Sequence, residues 1–182
     1  MHAYLRTIWV ALLLAFAGCS PSGDLSVLAA KPAAYRLGPG DTLQIRVLGA
    51  DELNGRYLVQ DDGTVRVLMA GAVLAAGFTP EQLQAKIGDA LKAGGYLRQP
   101  RVTVVVMDYR RYFILGEISG PGAYPYVSSM RVLSAVAAAG GYTRRAEQDF
   151  VIITRNGEDN RADFMTFIQP DDIIRVNERS LF

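Results

Sequence analysis

The fold begins in residues 35–47, which read Tyr35-Arg36-Leu37-Gly38-Pro39-Gly40-Asp41-Thr42-Leu43-Gln44-Ile45-Arg46-Val47. Pro39 fixes φ near the value that a turn requires, Gly40 can take a positive φ, and Asp41 can hydrogen-bond to the local backbone. From Leu43 onward apolar and polar residues alternate, which is typical of a half-buried strand. The sequence therefore predicts that the folded part of the chain starts with a turn that leads into a strand.

The residues before this stretch have the features of a secretion signal and a tether. A weakly basic start precedes an apolar run over residues 8–17 that is too short to span a bilayer comfortably. Phe16-Ala17-Gly18-Cys19 is similar to a bacterial lipobox, in which the cysteine is lipidated and becomes the first mature residue. An ordinary signal peptide with an incidental cysteine is the alternative. We predict a lipoprotein signal peptide over 1–18, lipidation at Cys19 and a flexible tether over 19–34.

Composition narrows the classes of function. The 182 residues include 19 lysines and arginines against 18 acids, so no basic surface argues for nucleic acid. The single histidine lies in the predicted signal peptide, which leaves the mature chain without histidine-based catalysis or imidazole metal ligands. Asp61 and Asp62 precede a glycine in a turn pattern, so they do not suggest the carboxylate pair of a glycosidase. We expect no enzyme activity, no cofactor and no metal.

Residues 35–110 show the pattern of a small α+β domain. The sequence Asp61-Asp62-Gly63 predicts a hairpin between the strand segments on either side of it. Thr79-Pro80-Glu81-Gln82 predicts a helix start, with Thr79 as the N-cap and Gln82 completing a capping box. The β-branched segment 101–107 predicts a strand that is buried on both faces.

The pattern of residues 111–182 predicts a second small domain. A strand over 113–118 and a turn over 120–122 precede a short helix, which we expect to be capped by Ser128 or Ser129 with Leu133 on its inner face. A hairpin about Asn156-Gly157 and a last strand over 173–176 follow. This order suits a small β-grasp module. We therefore predict an α+β protein with two small domains, the first with a mixed sheet and one helix.

Two segments of the chain are alike. Pro39-Gly40-Asp41 and Pro170-Asp171-Asp172 each precede a short segment with the character of a strand. Shared turn chemistry explains this likeness more simply than duplication does, so we predict no internal repeat.

Taken together, these segments resemble the polysaccharide biosynthesis/export lipoproteins, the Wza-type family. The motifs that carry the resemblance are the opening stretch 35–47, Asp62-Gly63, residues 77–81, 100–104, 116–124 and 139–143, and Pro170-Asp171-Asp172-Ile173-Ile174. Each motif alone is a common turn or cap, but their order and spacing are specific. The resemblance implies a polysaccharide-export domain over 35–110 and a soluble-ligand-binding β-grasp (SLBB) domain over 111–182.

The resemblance also implies a function. We expect a homo-oligomeric ring in the periplasm, anchored by lipid to the outer membrane of a Gram-negative bacterium, that guides a capsular polysaccharide or exopolysaccharide outward. An inner-membrane chain-length or kinase component is the implied partner. Only one SLBB module and no outer-membrane helix precede Phe182, so we expect a separate outer-membrane pore or the lipid alone to complete the path. A monomeric lipoprotein that binds carbohydrate or peptidoglycan is the alternative.

Aromatic and cationic side chains between and within the two domains are candidate contacts. Sugars stack on aromatic rings, and acidic sugars pair with arginine. The candidates for contact with polysaccharide or with another subunit are Tyr109, Arg110, Arg111, Tyr112, Tyr124 and Tyr126. A linking strand with solvated arginines is the alternative for the first four, and core packing is the alternative for the last two.

Overall fold

The computed structural model describes residues 34–180, so Cys19, the predicted signal peptide and nearly all of the tether lie outside the described residues. Within that range the chain forms ten strands and two α-helices, neither of which is long and apolar enough to cross a membrane. The elements are β1 (Thr42–Val47), a 3₁₀-helix (Asp51–Leu53), β2 (Gly55–Leu58), β3 (Thr64–Val67), β4 (Gly71–Leu74), α1 (Pro80–Ala93), β5 (Val102–Asp108), β6 (Arg111–Gly116), β7 (Gly122–Pro125), α2 (Val132–Ala138), β8 (Val151–Arg155), β9 (Glu158–Ala162) and β10 (Ile173–Val176). Two separate hydrophobic cores confirm the predicted α+β fold with two domains.

Strand β1 is the centre of the first domain. It pairs antiparallel with β2 on one side and with β5 on the other, so this sheet is antiparallel and the predicted mixed sheet is wrong. The predicted alternation is confirmed, because Leu43, Ile45 and Val47 are buried while Arg46 is exposed. The opening stretch of the sequence therefore supplies the central strand of the first sheet.

The hairpin predicted about Asp61-Asp62-Gly63 is wrong. The turn itself forms, since its glycine N–H donates to the Gln60 carbonyl at 2.8 Å. Strand β2, however, pairs with β1, and β3 pairs antiparallel with β4. The pairing of β2 extends past its last residue, where Val59 N–H donates to the Asp41 carbonyl at 2.9 Å. Beyond the turn, the Gln60 N–H donates to the Thr64 carbonyl at 2.8 Å, and β3 then joins β4 in a second, two-stranded sheet.

Helix α1 covers the inner face of the first sheet. Its predicted capping box is confirmed: Thr79 Oγ1 accepts from the Gln82 N–H at 3.3 Å, and Gln82 Oε1 accepts from the Thr79 N–H at 2.9 Å. Leu83, Ile87 and Leu91 form one fully buried stripe. The sequence thus defines both the start and the inner face of this helix.

The prediction that β5 is buried on both faces is wrong. Val104 packs in the core against α1, but Val105 is 50% exposed and Met107 is 45% exposed. The residues point alternately to the two faces of the sheet, and α1 covers only one of them. An uninterrupted run of β-branched residues can therefore occupy a strand that has one open face.

Strand β10 is the centre of the second domain. The sheet has the order β7-β6-β10-β8-β9, in which β10 runs parallel to β6 and antiparallel to β8. The predicted hairpin about Asn156-Gly157 is confirmed, and both residues have the positive φ that this turn requires, 53° and 84°. Strand β9 starts directly after this turn, at Glu158.

Helix α2 packs on the inner face of this sheet but differs from the prediction in two ways. Its N-cap is Arg131, with no side-chain cap bond at that described residue, and Ser129 instead adopts a positive φ of 64° in the preceding loop. The buried positions are Val132, Ala135 and Val136, whereas Leu133 is 51% exposed. Helical spacing places residue 133 about 100° away from residue 132, which turns its side chain outward.

Candidate functional site

Asp41 lies completely buried in the turn that opens the first domain. Its carboxylate Oδ2 accepts from the Gly38 N–H at 2.9 Å, and its own N–H donates to the Gly38 carbonyl at 3.2 Å. Gly40 adopts a φ of 94°, which a residue with a side chain rarely takes. The predicted turn is confirmed, and it places a buried carboxylate that needs further partners.

Those partners come from both sides of the domain boundary. The Tyr35 hydroxyl donates to Asp41 Oδ2. The Arg110 N–H donates to Oδ1 at 3.2 Å, and its Nε lies 3.4 Å from the same oxygen. Burial raises the pKa of Tyr35 well above its ordinary value, and the hydrogen bond and negative charge of Asp41 add to this effect. Tyr35 therefore remains a neutral donor to Asp41 across the physiological pH range.

Arg110 connects the two domains. Its Nη1 donates to Asp171 Oδ2 at 2.6 Å, so one guanidinium lies between Asp41 of the first domain and Asp171 of the second. The guanidinium also lies against Gly38, where a Cβ would fall only 2.5 Å from Nη1. Only glycine at position 38 leaves room for the arginine in this position.

A row of three tyrosines crosses the same boundary. The rings of Tyr35 and Tyr109 meet edge to face with centroids 4.8 Å apart, and those of Tyr109 and Tyr126 meet in the same way at 5.5 Å. Such pairs add roughly 0.5–1.5 kcal/mol each beyond their buried area. Tyr109 in the linker is thus clamped between one ring from each domain.

The second domain contains a similar turn. Asp172 is almost completely buried, its Oδ2 accepts from the Gln169 N–H at 2.7 Å, and its N–H donates to the Gln169 carbonyl at 3.2 Å. Arg155 approaches with a bidentate fork, Nε to Oδ1 at 2.8 Å and Nη2 to Oδ2 at 2.7 Å. This ion pair lies within one sheet, since Arg155 is on β8 and Asp172 immediately precedes β10.

An open cleft of about 540 Å³ lies between these groups. Its walls come from residues 34–37 of the first domain, Arg110 of the linker, and three loops of the second domain, 126–129, 155–156 and 167–172. We call this the junction cleft. Its size is within the range of about 300–1,000 Å³ that small-molecule sites occupy.

The structure brings three of the six predicted contact residues together at this junction. Arg110 and Tyr126 line the cleft, and Tyr109 packs between Tyr35 and Tyr126. Arg111 is exposed at the start of β6, outside the cleft lining. Its role as a contact stays a prediction.

The other two predicted contacts face the core of the second domain. Tyr112 is completely buried, and its hydroxyl has no hydrogen-bond partner among residues 34–180. Burial and the neighbouring Tyr124 raise the pKa of Tyr112 to about 12. Tyr124 is half-buried, stacks on Tyr112 at 5.9 Å and donates to the Gly120 carbonyl at 2.7 Å. The structure therefore corrects Tyr112 from a surface contact to a core residue and gives Tyr124 a packing role.

Sequence reasoning missed the charged partners at the junction. The sequence pattern identifies Asp171 and Asp172 only as turn residues, and it does not single out Arg155. Nothing in the local pattern joins Arg155 to an acid 17 residues further along the chain. The likeness between the two proline turns was the available signal, because two buried aspartates each require a positive partner.

Family models match the two domains in order. The model described as polysaccharide biosynthesis/export protein matches residues 29–107, and the model for the SLBB domain matches residues 111–162. Together they cover most of the chain, and the gap between them contains Tyr109 and Arg110.

Several curated proteins are similar to this chain. The exopolysaccharide production protein ExoF of Rhizobium meliloti (strain 1021) is 31% identical over 157 residues, 80% of this chain and 35% of that protein. The EPS I polysaccharide export outer membrane protein EpsA of Ralstonia nicotianae is 26% identical over 197 residues, 87% of this chain and 51% of that protein. The polysialic acid transport protein KpsD of Escherichia coli is 27% identical over 125 residues, 68% of this chain and 22% of that protein. The chain thus matches about half or less of the length of these relatives.

Proposed function

Because the chain belongs to the polysaccharide biosynthesis/export family and carries an SLBB domain, we propose that it is a non-enzymatic component of a polysaccharide export machine. Its cargo would be an exopolysaccharide, the polymer that the name of ExoF gives for that protein, or a capsular polysaccharide, which the name of a further similar protein gives. The observation that carries this proposal is the pairing of the two modules in family order on one chain. Their junction, built on Arg110, supports a fixed relation between them.

We further propose that the chain assembles into a homo-oligomeric ring. The outer face of the second sheet supports this idea, because Phe113 and Ile173 lie side by side on β6 and β10, and Leu115 follows on the same face. All three are exposed in the single chain. Contiguous exposed apolar groups on a sheet are commonly covered by another protein surface. A neighbouring subunit of the ring would cover them.

The ring would be anchored to the outer membrane and face the periplasm. Lipid on Cys19 would supply the anchor, and the segment 19–34 would act as the tether. An inner-membrane chain-length or kinase component would deliver the polymer, and an outer-membrane pore would release it. These partners are proposals from the family resemblance.

A matched pair of variants tests the assembly. Leu115→Ser removes an apolar group from the proposed interface, whereas Leu48→Ser makes the same change at a residue that is 71% exposed beside the first sheet. We expect Leu115→Ser to fold normally by circular dichroism but to lose oligomers in negative-stain images of detergent-extracted particles. Leu48→Ser should assemble as the unchanged chain does. Equal assembly of both variants would contradict the proposed interface.

A deletion tests the function itself. Loss of the gene should abolish secretion of the polymer, and Cys19→Ser should move the protein out of the membrane fraction. Purified chains that remain monomeric, together with unchanged secretion after deletion, would contradict the export function.

A second function is favoured by one observation. The junction cleft has the size of a ligand site, so a monomeric lipoprotein that binds carbohydrate or peptidoglycan remains the alternative. Saturable glycan binding by a chain that never assembles would select it.

A further inference from the structure

We infer that the junction cleft binds a segment of an acidic oligosaccharide, an inference that rests on the proposed export function and names a binding site for its cargo. The first argument is the position of the cleft. Each domain contributes a wall, with residues 34–37 on one side and residues 167–172 on the other. A ligand in the cleft would therefore contact both family modules at once.

The neutral groups that line the cleft suit a sugar. Tyr35 and Tyr126 offer aromatic surface for the C–H faces of a pyranose ring. The neutral polar residues of the lining offer hydroxyl and amide groups, which hydrogen-bond to sugar hydroxyls; these residues are Ser128, Ser129, Asn156 and Gln169. This mixture of rings and small polar groups matches carbohydrate better than it matches an apolar ligand.

One arginine that lines the cleft favours an acidic ligand. Asp172 is bound by Arg155, and Asp171 shares the Arg110 guanidinium with the buried Asp41, so these charges are paired with one another. Arg36 differs, because its Nη1 donates to the carbonyl of Gly77 at 2.6 Å and it forms no ion pair within residues 34–180. Its charge remains available at the edge of the cleft. A carboxylate on a sugar is the group that an arginine recognises best.

Backbone conformation gives an independent argument. Among residues 34–180, four residues other than glycine adopt a positive φ, and three of them, Ser129, Asn156 and Asp171, line the junction cleft. Their φ values are 64°, 53° and 67°. The turns at Asn156 and Asp171 account for two of these values, and each turn fixes the direction of its polar groups. The three loops are therefore shaped before any ligand arrives.

The test uses the full chain in detergent and two matched probes, trigalacturonic acid and its methyl ester, in which methyl groups replace the carboxylate charges on the same sugar chain. Isothermal titration calorimetry should give one saturable site for the acid. The ester should bind about tenfold more weakly, the loss that follows when one charged hydrogen bond becomes neutral. Equal affinity for acid and ester, or no saturable binding up to about 10 mM acid, would overturn the inference.

Three variants locate the site. Arg36→Gln should lower affinity for the acid about tenfold and leave affinity for the ester nearly unchanged. Asn156→Gly and Ser129→Gly keep the positive φ while removing the polar side chain, so they should weaken both probes without unfolding the chain. Arg46→Gln, on the exposed side of β1, is the control and should bind both probes as the unchanged chain does. Binding that none of the three cleft variants alters would place the ligand elsewhere.

The result can be separated from the export proposal by measuring polymer secretion in the same strains. A chain that is required for secretion but does not bind trigalacturonic acid would overturn the cleft site and leave the export function standing. A chain that neither binds the acid nor is required for secretion would contradict both proposals.

Discussion

The two proline turns have nearly the same local structure. In each, the first residue of the turn donates its N–H to the carboxylate of an aspartate three residues later, at 2.9 Å from Gly38 to Asp41 and at 2.7 Å from Gln169 to Asp172. In each, the third residue has a positive φ, and a strand follows at once. Both strands are central in their sheets.

The partners of the two aspartates differ. Asp172 receives a bidentate arginine from β8, a strand of its own sheet. Asp41 receives a tyrosine hydroxyl from just before the turn and both the backbone and the side chain of Arg110, which also reaches Asp171. One local motif thus stabilises a single domain in the second turn and joins two domains in the first. The function of such a turn depends on where its positive partner originates.

The largest effect is expected when each of the two aspartate carboxylates is removed separately. Asp172→Ala leaves the mostly buried Arg155 without its counter-ion, and we expect it to lower the free energy of unfolding of the second domain by about 3–5 kcal/mol. Asp41→Ala should cost about 2–3 kcal/mol, since Arg110 keeps Asp171 as a partner. Urea unfolding combined with hydrogen exchange measures both losses and assigns each to a domain.

The two variants should also differ in which residues lose protection from hydrogen exchange. Asp172→Ala should increase exchange within the sheet that contains β10, and Asp41→Ala should increase it on both sides of the linker. Asp61→Ala, at an exposed turn residue, is the control and should change exchange little. An Asp41→Ala chain with altered exchange only in the first domain would break the comparison.

A smaller effect is expected from the linker arginine itself. Arg110→Gln removes both ion pairs across the junction but keeps the backbone N–H that donates to Asp41. We expect each domain to stay folded, because Arg110 lies outside both cores. The linker should open more often, and cleavage by trypsin after Arg111 should accelerate about tenfold, which corresponds to a loss of about 1.4 kcal/mol.

Arg46→Gln provides the matched control for this measurement, since it removes an exposed arginine far from the linker in sequence. Cleavage after Arg111 at the same rate in both variants would mean that the junction does not depend on the arginine. The row of tyrosines would then be its main support.

Much of the fold could be predicted from local sequence. The turn at Asp41, the alternation of β1 and the capping box at Thr79 depend on residues close together in the chain, and all three predictions are confirmed. Strand pairing depends on distant residues. For this reason the hairpin predicted between β2 and β3 is wrong, because β3 pairs with β4, a partner that the local pattern does not identify.

The candidate site could be predicted only in part. The linker residues Tyr109 and Arg110 stand out because aromatic and cationic groups adjoin between two domains, and both lie at the junction. Tyr112 has similar aromatic and cationic neighbours in the sequence, but it lies within β6. Side chains of a strand point alternately to its two faces, and Tyr112 points to the buried one. The pairing of Arg155 with Asp172 arises from strand register, which the sequence does not specify by itself.

The smallest effect concerns the tyrosine that only the first turn possesses. The folded chain holds the pKa of Tyr35 above its ordinary value of 10.0, because burial and Asp41 disfavour the phenolate. Above about pH 10 the unfolded chain loses this proton while the folded chain keeps it, so the stabilisation from Tyr35 is complete below that pH and falls as pH rises. Tyr35→Phe should be less stable by about 1 kcal/mol near neutral pH, and this difference should disappear near about pH 11. Urea unfolding at several pH values measures it, with Tyr96→Phe at an exposed ring as the control. A difference that stays constant from neutral to alkaline pH would show that neither burial nor Asp41 raises the pKa of Tyr35 in the folded chain, and it would contradict this part of the comparison.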